Sequence, residues 1–294
     1  MSEAAPPGGP GHAEDPTGIE QAAAYWSTQA ARYERWGDLA HADARYRGAW
    51  TDALAALAGH PARDGTTPRR VVDVGTGTGE LALLLAHMGH RVTGFDIAPG
   101  MLRHARSGIA AAGPLAGSVT VAGAESTRLP LAGGTVDLVI SRMVFWALAD
   151  PAAALREWRR VLAPGGRIVV VDALHFAPPA TVVGRARHRA GQLFWTALSR
   201  ADRRRGAVTG RTGPARPASP GAGWRSVDEP AGLFTAAGLT GARVGWLDDV
   251  AAAHRRTAPL RWRLAGLLPR FYILTWPHGD HGELPSPPRT EASR

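Results

Sequence analysis

The sequence predicts an α/β fold, a doubly wound sheet of mainly parallel strands, on three observations. From about residue 68 onward, short apolar runs alternate with helical stretches, as βαβ units do. One run, Val71-Val72-Asp73-Val74, ends in Gly75-Thr76-Gly77-Thr78-Gly79 and opens straight into a helical stretch at Glu80. The next, Val92-Thr93-Gly94-Phe95-Asp96, closes on a carboxylate 17 residues after Gly79. A chain of 294 residues with 45% hydrophobic content can bury one such domain and an extra segment or two.

The predicted strands are Arg70 to Val74, Arg91 to Asp96, Ser118 to Ala122, Val136 to Ser141 and Arg167 to Asp172, followed by Ala242 to Leu247 and Phe271 to Trp276. Helices are expected near Glu80 to His87, Gly100 to Ala112, Pro151 to Leu162 and Glu229 to Gly238. Pro151 suits a first helical turn, and Pro164-Gly165-Gly166 a stop after the last. Upstream, Tyr25, Trp26, Tyr33 and Trp36, then Tyr46, Trp50, Leu54 and Leu57, fall at helical spacing, so residues 19–66 read as an N-terminal helical cap. The main domain spans 67–279, with an Arg-rich insertion at 177–223 expected to lie over the carboxyl edge of the sheet, where doubly wound folds bind ligands. Residues 1–18 and 280–294, rich in Pro, Gly, Ala and Ser, are expected to be disordered tails.

Composition removes several chemistries. The absence of cysteine excludes disulfides, thiolate metal sites and thiol nucleophiles, and no metal is expected. No apolar stretch is long enough to cross a membrane, and the first residues have neither a basic start nor an apolar signal core, so a cytoplasmic protein is expected. All 34 basic residues are arginine, which a GC-rich coding sequence would also produce. The formal charge of +9 owes much to the stretch from Arg185 to Arg216, where only Asp202 opposes the arginines. A solvated loop explains that stretch better than a nucleic-acid patch.

The glycine loop is the strongest chemical signal. Glycines allow a sharp turn and close approach of a ligand, and the helix behind offers unpaired N–H groups. The spacing departs from the dinucleotide fingerprint G-x-G-x-x-G, because Glu80 stands where its third glycine would fall. No Gly-Lys-Ser/Thr follows, so a phosphate-binding P-loop is also missing. Asp96 is placed to accept hydrogen bonds from both hydroxyls of a ribose, which suits NAD or S-adenosylmethionine (SAM) and repels a 2′-phosphate.

On these residues the chain resembles the class I SAM-dependent methyltransferases, specifically the small-molecule group with DVGTGTG-like loops. Resemblance runs from about Arg70 to Phe176 and more loosely to Trp276. It implies a Rossmann-like sheet of seven strands in the order 3-2-1-4-5-7-6, the seventh antiparallel. Asp73, Gly75, Thr76, Gly77 and Gly79 would surround the methionine moiety of SAM, Asp96 would bind the ribose, and Ile97 and Met101 would pack on the adenine. The family's Gly-Asp-Ala before Leu-Pro appears as Ala124-Glu125-Ser126 before Leu129-Pro130, so Glu125 and Ser126 would face the adenine edge. Ser141 and Arg142, ending the fourth strand, would lie beside the sulfonium. Tyr25, Trp26, Phe145 and Trp146 would form a substrate lid, and Leu162-Ala163-Pro164-Gly165-Gly166 resembles the family's turn before its fifth strand.

The implied reaction moves a methyl group from SAM to an N, O or C atom of a small molecule, leaving S-adenosyl-L-homocysteine, with a place in secondary metabolism. Positioning and exclusion of water would supply most of the rate. Where the acceptor needs a base, His175 after the fifth strand and Tyr33 in the cap are the candidate catalytic residues. His87, His90 and His104 are expected to face solvent, and His41 is a weaker candidate. An aminocarboxypropyl transferase or cyclase using the other arm of SAM remains an alternative; the intact Asp73, glycine and Asp96 set argues against a binding protein without catalysis, and Glu80 against an NAD oxidoreductase. A nucleic-acid methyltransferase is disfavoured: Ser141-Arg142-Met143-Val144 stands where base-amine enzymes carry Asn/Asp-Pro-Pro-Tyr/Phe. The expected partner is therefore a small-molecule substrate, with no membrane and no nucleic acid.

Overall fold

Val71, Val72 and Val74 of the first strand are all buried, the mark of a strand covered on both faces. In the computed structural model this strand, β1 (Arg70–Val74), lies at the centre of the sheet. The structure describes residues 16–41, 43–174, 224–258 and 270–276, and positions 189, 190, 193, 221 and 263. The predicted N-terminal tail up to residue 15, the 280–294 tail, nearly all of the 177–223 insertion, and His175 lie outside the described residues, as does the side chain of His41.

Chain order gives α1 (Pro16–His41), α2 (Ala44–Ala58), α3 (Pro61–Asp64), β1, α4 (Glu80–His87), β2 (Arg91–Asp96), α5 (Pro99–Ala111) and β3 (Val119–Gly123). There follow β4 (Val136–Arg142), α6 (Pro151–Val161), β5 (Leu162–Leu174), α7 (Asp228–Ala236), β6 (Arg243–Trp246), α8 (Asp248–Thr257) and β7 (Arg270–Trp276). The seven strands pair in the order β3-β2-β1-β4-β5-β7-β6. All pairs through β5 are parallel, and β7 runs antiparallel to both neighbours. Class, strand order and the reversed seventh strand are those the sequence predicts.

Two apolar layers sandwich the sheet. On one face Val71, Ile140, Val169 and Ile273 meet Trp50 and Leu54 of α2, Leu81 and Leu85 of α4, and Val250 of α8. On the other, Val72, Val139, Val170 and Leu274 meet Leu155 and Trp158 of α6 and Phe234 of α7. Of the helices before β1, α2 is thus a layer of the core, whereas α1 packs on α5. Asp43 caps α2 by accepting the Arg45 and Tyr46 N–H groups, and Asp150 caps α6 through Ala153 N–H.

Three local readings change. The fifth strand begins at Leu162 and not Arg167: Leu162 pairs with Val136, the register then shifts, and Arg167 pairs with Leu138. Pro164-Gly165-Gly166 therefore loops out as a bulge within the strand, with Gly165 at φ +77°. Helix α8 went unpredicted, although Asp248 and Asp249 in its first turn and Arg255 and Arg256 in its last suit a helix dipole. Finally, His90 does not face solvent. It is 1% exposed, and its Nδ1 accepts the Arg69 N–H while its Nε2 donates to the Gly59 carbonyl. Burial lowers its pKa and keeps it neutral, a spacer pinning the start of β1 and β2.

Candidate functional site

At the carboxyl end of β1 the chain must turn within five residues from strand to helix. Gly75, Gly77 and Gly79 make the turn at φ +71°, +57° and +86°, a region that costs other residues strain. Gly75 and Thr76 donate their N–H groups to the Phe95 carbonyl, tying the loop to the end of β2. A Cβ on Gly75 would stand 2.4 Å from the Val144 side chain, so Gly75 serves the packing of the loop against the segment after β4. A Cβ on Gly77 would meet nothing closer than the Gly75 carbonyl at 4.0 Å, which leaves that face of the loop open. Gly79 lets α5 approach, since its Cβ would lie 3.2 Å from that of Ala105.

Two carboxylates brace this loop. Asp73 is 1% exposed and accepts the Thr76 hydroxyl at 2.8 Å; Gly94 makes room for that hydroxyl, which would lie 2.6 Å from any Cβ there. Burial pushes the Asp73 carboxyl up to about 6, opposed by the Thr76 hydrogen bond and the charge of Arg142. Asp96 accepts Gly77 N–H on Oδ2 at 2.9 Å and Ala98 N–H on Oδ1 at 2.8 Å. Burial also raises its pKa, and these N–H groups pull it back. With Ile97 N–H also directed at it, the carboxylate still has more lone-pair sites than these donors fill, so it can accept from a ribose hydroxyl.

Helix α1 lies over the segment after β2. Gly100 donates its N–H to Ser27 Oγ at 3.1 Å, and any Cβ on Gly100 would strike the Ser27 backbone. Met101 is buried in a small cluster with Ala30 and Ala98, with Trp26 against it, while Ile97 stays half-buried. Trp26 is met edge-on by three rings: Tyr25 at 5.0 Å, Tyr33 at 5.9 Å and Trp146 at 6.1 Å. It therefore touches both the Met101 cluster after β2 and the turn after β4. Tyr33 is 45% exposed, on the outer side of this group.

Beyond β3, Glu125 and Ser126 sit in a half-buried turn closed by a bridge from Glu125 to Arg128. Ser126 holds position through its carbonyl, which accepts the Trp158 indole N–H at 3.0 Å.

The end of β4 divides the remaining expected residues. Ser141 is fully buried, and its Oγ has no hydrogen-bond partner among the described residues. Arg142 pairs with Glu80 at 2.9 Å and stacks over Trp50, with its guanidinium carbon 5.2 Å from the ring centroid. Arg142 thus joins β4, α4 and α2. Phe145 is a correction: it is 0% exposed, packed among Trp158, Trp224 and Phe234, so it belongs to the core and not to a lid. Its neighbour Trp146 faces α1 instead.

Sequence reasoning missed Asp172, near the end of β5. It is fully buried and accepts the Trp146 N–H at 2.9 Å and its neighbour Ala173 N–H at 2.8 Å. Burial pushes its carboxyl up to about 7. Its signal was an acid after the run Val169-Val170-Val171, the same strand-end pattern that marks Asp73 and Asp96. Carboxylates therefore stand near the carboxyl ends of β1, β2 and β5.

Residues 72–170 match the family described as a methyltransferase domain. That match covers the glycine loop, Asp96 and the whole of β4. Over those residues the chain is similar to methyltransferase domains. Over 114 residues the chain is 44% identical to a demethylmenaquinone methyltransferase of Thermus thermophilus, covering 38% of this chain and 49% of that protein. Over 105 residues it is 43% identical to a malonyl-[acyl-carrier protein] O-methyltransferase of Geobacter sulfurreducens, covering 35% and 38%. The chain spans half or less of the length of these relatives. A solved putative SAM-dependent methyltransferase from Methanococcus maripaludis shares the fold, with a TM-score of 0.51 at 17% identity over 84% of this chain and 92% of that one. The family match runs from within β1 to within β5, while α1, α2 and residues beyond 170 lie outside it.

Proposed function

We propose that the chain binds SAM between the Gly75 to Gly79 loop and Asp96, and catalyses transfer of its methyl group to an N, O or C atom of a small molecule. One observation carries this reading: Asp96 is held by Gly77 N–H and Ala98 N–H with acceptor capacity left over, beside the open face of Gly77. That arrangement fits the ribose hydroxyls of an adenosyl ligand. When bound, SAM would supply an electrophilic methyl group.

The chain's own residues would then bind and position. Asp96 would accept the ribose hydroxyls, Ile97 and Met101 would pack against the adenine, and the Ser141 hydroxyl would have a polar atom to bond. Glu125 and Ser126 would border the adenine. Trp26 and Trp146, with Tyr25, would exclude water and offer flat apolar surface to the acceptor. A ring-bearing acceptor fits those rings, and the relative named for demethylmenaquinone supports a quinol-like one. For a phenolic acceptor, His175, which directly follows β5, is proposed to take the proton. Tyr33, exposed on α1, is the second candidate.

Incubating the protein with SAM and 1,4-dihydroxynaphthalene, then resolving products by mass spectrometry, tests this reading. A methylated ring with S-adenosylhomocysteine is the expected result. Methylthioadenosine would instead mean transfer of the aminocarboxypropyl arm, and S-adenosylhomocysteine formed only with other acceptors would refute the quinol class alone.

A further inference from the structure

Burying a carboxylate costs free energy that an apolar residue would not, and Asp172 is fully buried at the edge where the acceptor is expected. What it holds is the turn after β4. Trp146 donates its backbone N–H to Asp172 and its indole N–H to the Met143 carbonyl at 3.0 Å. Met143 sits at φ +60°, the one described residue other than glycine in the left-handed region, so the turn is strained and needs an external hold. The ring so fixed meets Trp26 of α1 edge-on at 6.1 Å.

We propose that Asp172 is a positioning residue, which clamps the backbone of Trp146 and thereby holds α1 down over the loops after β2 and β4. Taking α1 as the cover of the cofactor site rests on the function proposed above; the clamp itself does not. The clamp reaches α1 through one indole, and α1 reaches the Asp96 loop through Ser27 and Gly100. The ionised carboxylate accepts both N–H groups, whereas the protonated acid gives up one of its acceptor positions to a proton. Among the described residues, the titratable group paired with Asp172 across the sheet is Tyr272 of β7, whose hydroxyl the Asp172 charge helps to keep protonated. The 145–147 turn brings no titratable side chain, and Ser141 of β4 brings a neutral hydroxyl.

Hydrogen exchange by mass spectrometry on the ligand-free full chain tests the clamp. In Asp172→Ala and Trp146→Ala, amides of residues 21–33 should exchange about tenfold faster, as expected for losing a charge-assisted hold, while those of β1 and β2 keep their wild-type rates. Asp172→Asn, whose side-chain oxygen still accepts the Trp146 N–H, should restore most of the protection. After correction for intrinsic chemistry, protection of α1 should fall from pH 8 to pH 6 in the wild type and stay level in Asp172→Asn. Unchanged exchange in α1, or equal acceleration in β1 and β2, overturns the proposal. Because no ligand is present, a failure of SAM binding would refute the proposed function and leave this readout intact.

Discussion

The Asp96 carboxylate accepts the backbone N–H of Gly77 at 2.9 Å, joining the loop after β1 to the end of β2 across 19 residues of chain. The bond fixes the glycine loop and the carboxylate as one unit before any ligand arrives. Preorganisation of this kind lowers the ordering cost of binding.

Removing that carboxylate loses both the loop contact and the proposed ribose contacts. Asp96→Ala is expected to weaken SAM binding by about 1 to 3 kcal/mol, the cost of leaving hydrogen-bonding groups unpaired. Calorimetric titration measures it, and an unchanged affinity would remove Asp96 from the site.

The glycines separate into two roles, and alanine distinguishes them. Gly75→Ala puts a methyl group against Val144 at a positive φ, so it should cost about 1 to 3 kcal/mol of folding stability, part of which Val144→Ala recovers. Gly77→Ala meets only open space, so its stability loss should stay near the backbone cost of about 1 kcal/mol while SAM affinity falls further. Urea unfolding and calorimetry on the same two variants check the split.

Arg142 should matter to the fold more than to the ligand. Arg142→Ala removes the ion pair with the half-buried Glu80 and the contact with Trp50, for an expected loss of about 1 to 3 kcal/mol. It also removes a charge that lowers the Asp73 pKa, so that carboxyl should titrate higher still. Equal stability of the variant and the wild type would contradict this account.

The pH dependence of stability has a definite sign. Burial raises Asp172 from 3.8 to about 7 and Asp73 to about 6, so the folded state holds these protons more tightly than the unfolded chain. Their contribution is fully present below pH 3.8 and is lost as pH rises through 6 to 7. For Asp172 the change is about 4 kcal/mol. Asp172→Asn should therefore gain stability relative to the wild type between pH 4 and pH 8, as measured by urea unfolding at both. Asp137 and Glu157, lowered by Arg70 and Arg160, act in the opposite direction at acid pH, and their part cancels in the comparison.

Strand positions and the glycine loop were legible because local rules decide them: β-branched runs, a carboxylate at a strand end, and glycines at forced turns. The strand order came from resemblance, which also led to Asp73. What stayed hidden depends on tertiary packing. His90 resembles any loop histidine until Arg69 N–H and the Gly59 carbonyl close around its ring. Phe145 and Trp146 are adjacent aromatic residues, and only the tightness of the 145–147 turn sends one into the core and the other toward α1. Arg142 reads as a ligand-facing cation at a strand end, yet Glu80, noticed in the sequence only for not being glycine, had already engaged it.

The most direct test of the central claim is calorimetric titration of the protein with SAM, S-adenosylhomocysteine and NAD. Binding of both adenosyl ligands at micromolar concentration, with no heat from NAD, is the predicted result. Binding of NAD alone, or of none of the three, would contradict the assignment of the Gly75 to Gly79 loop and Asp96 to SAM.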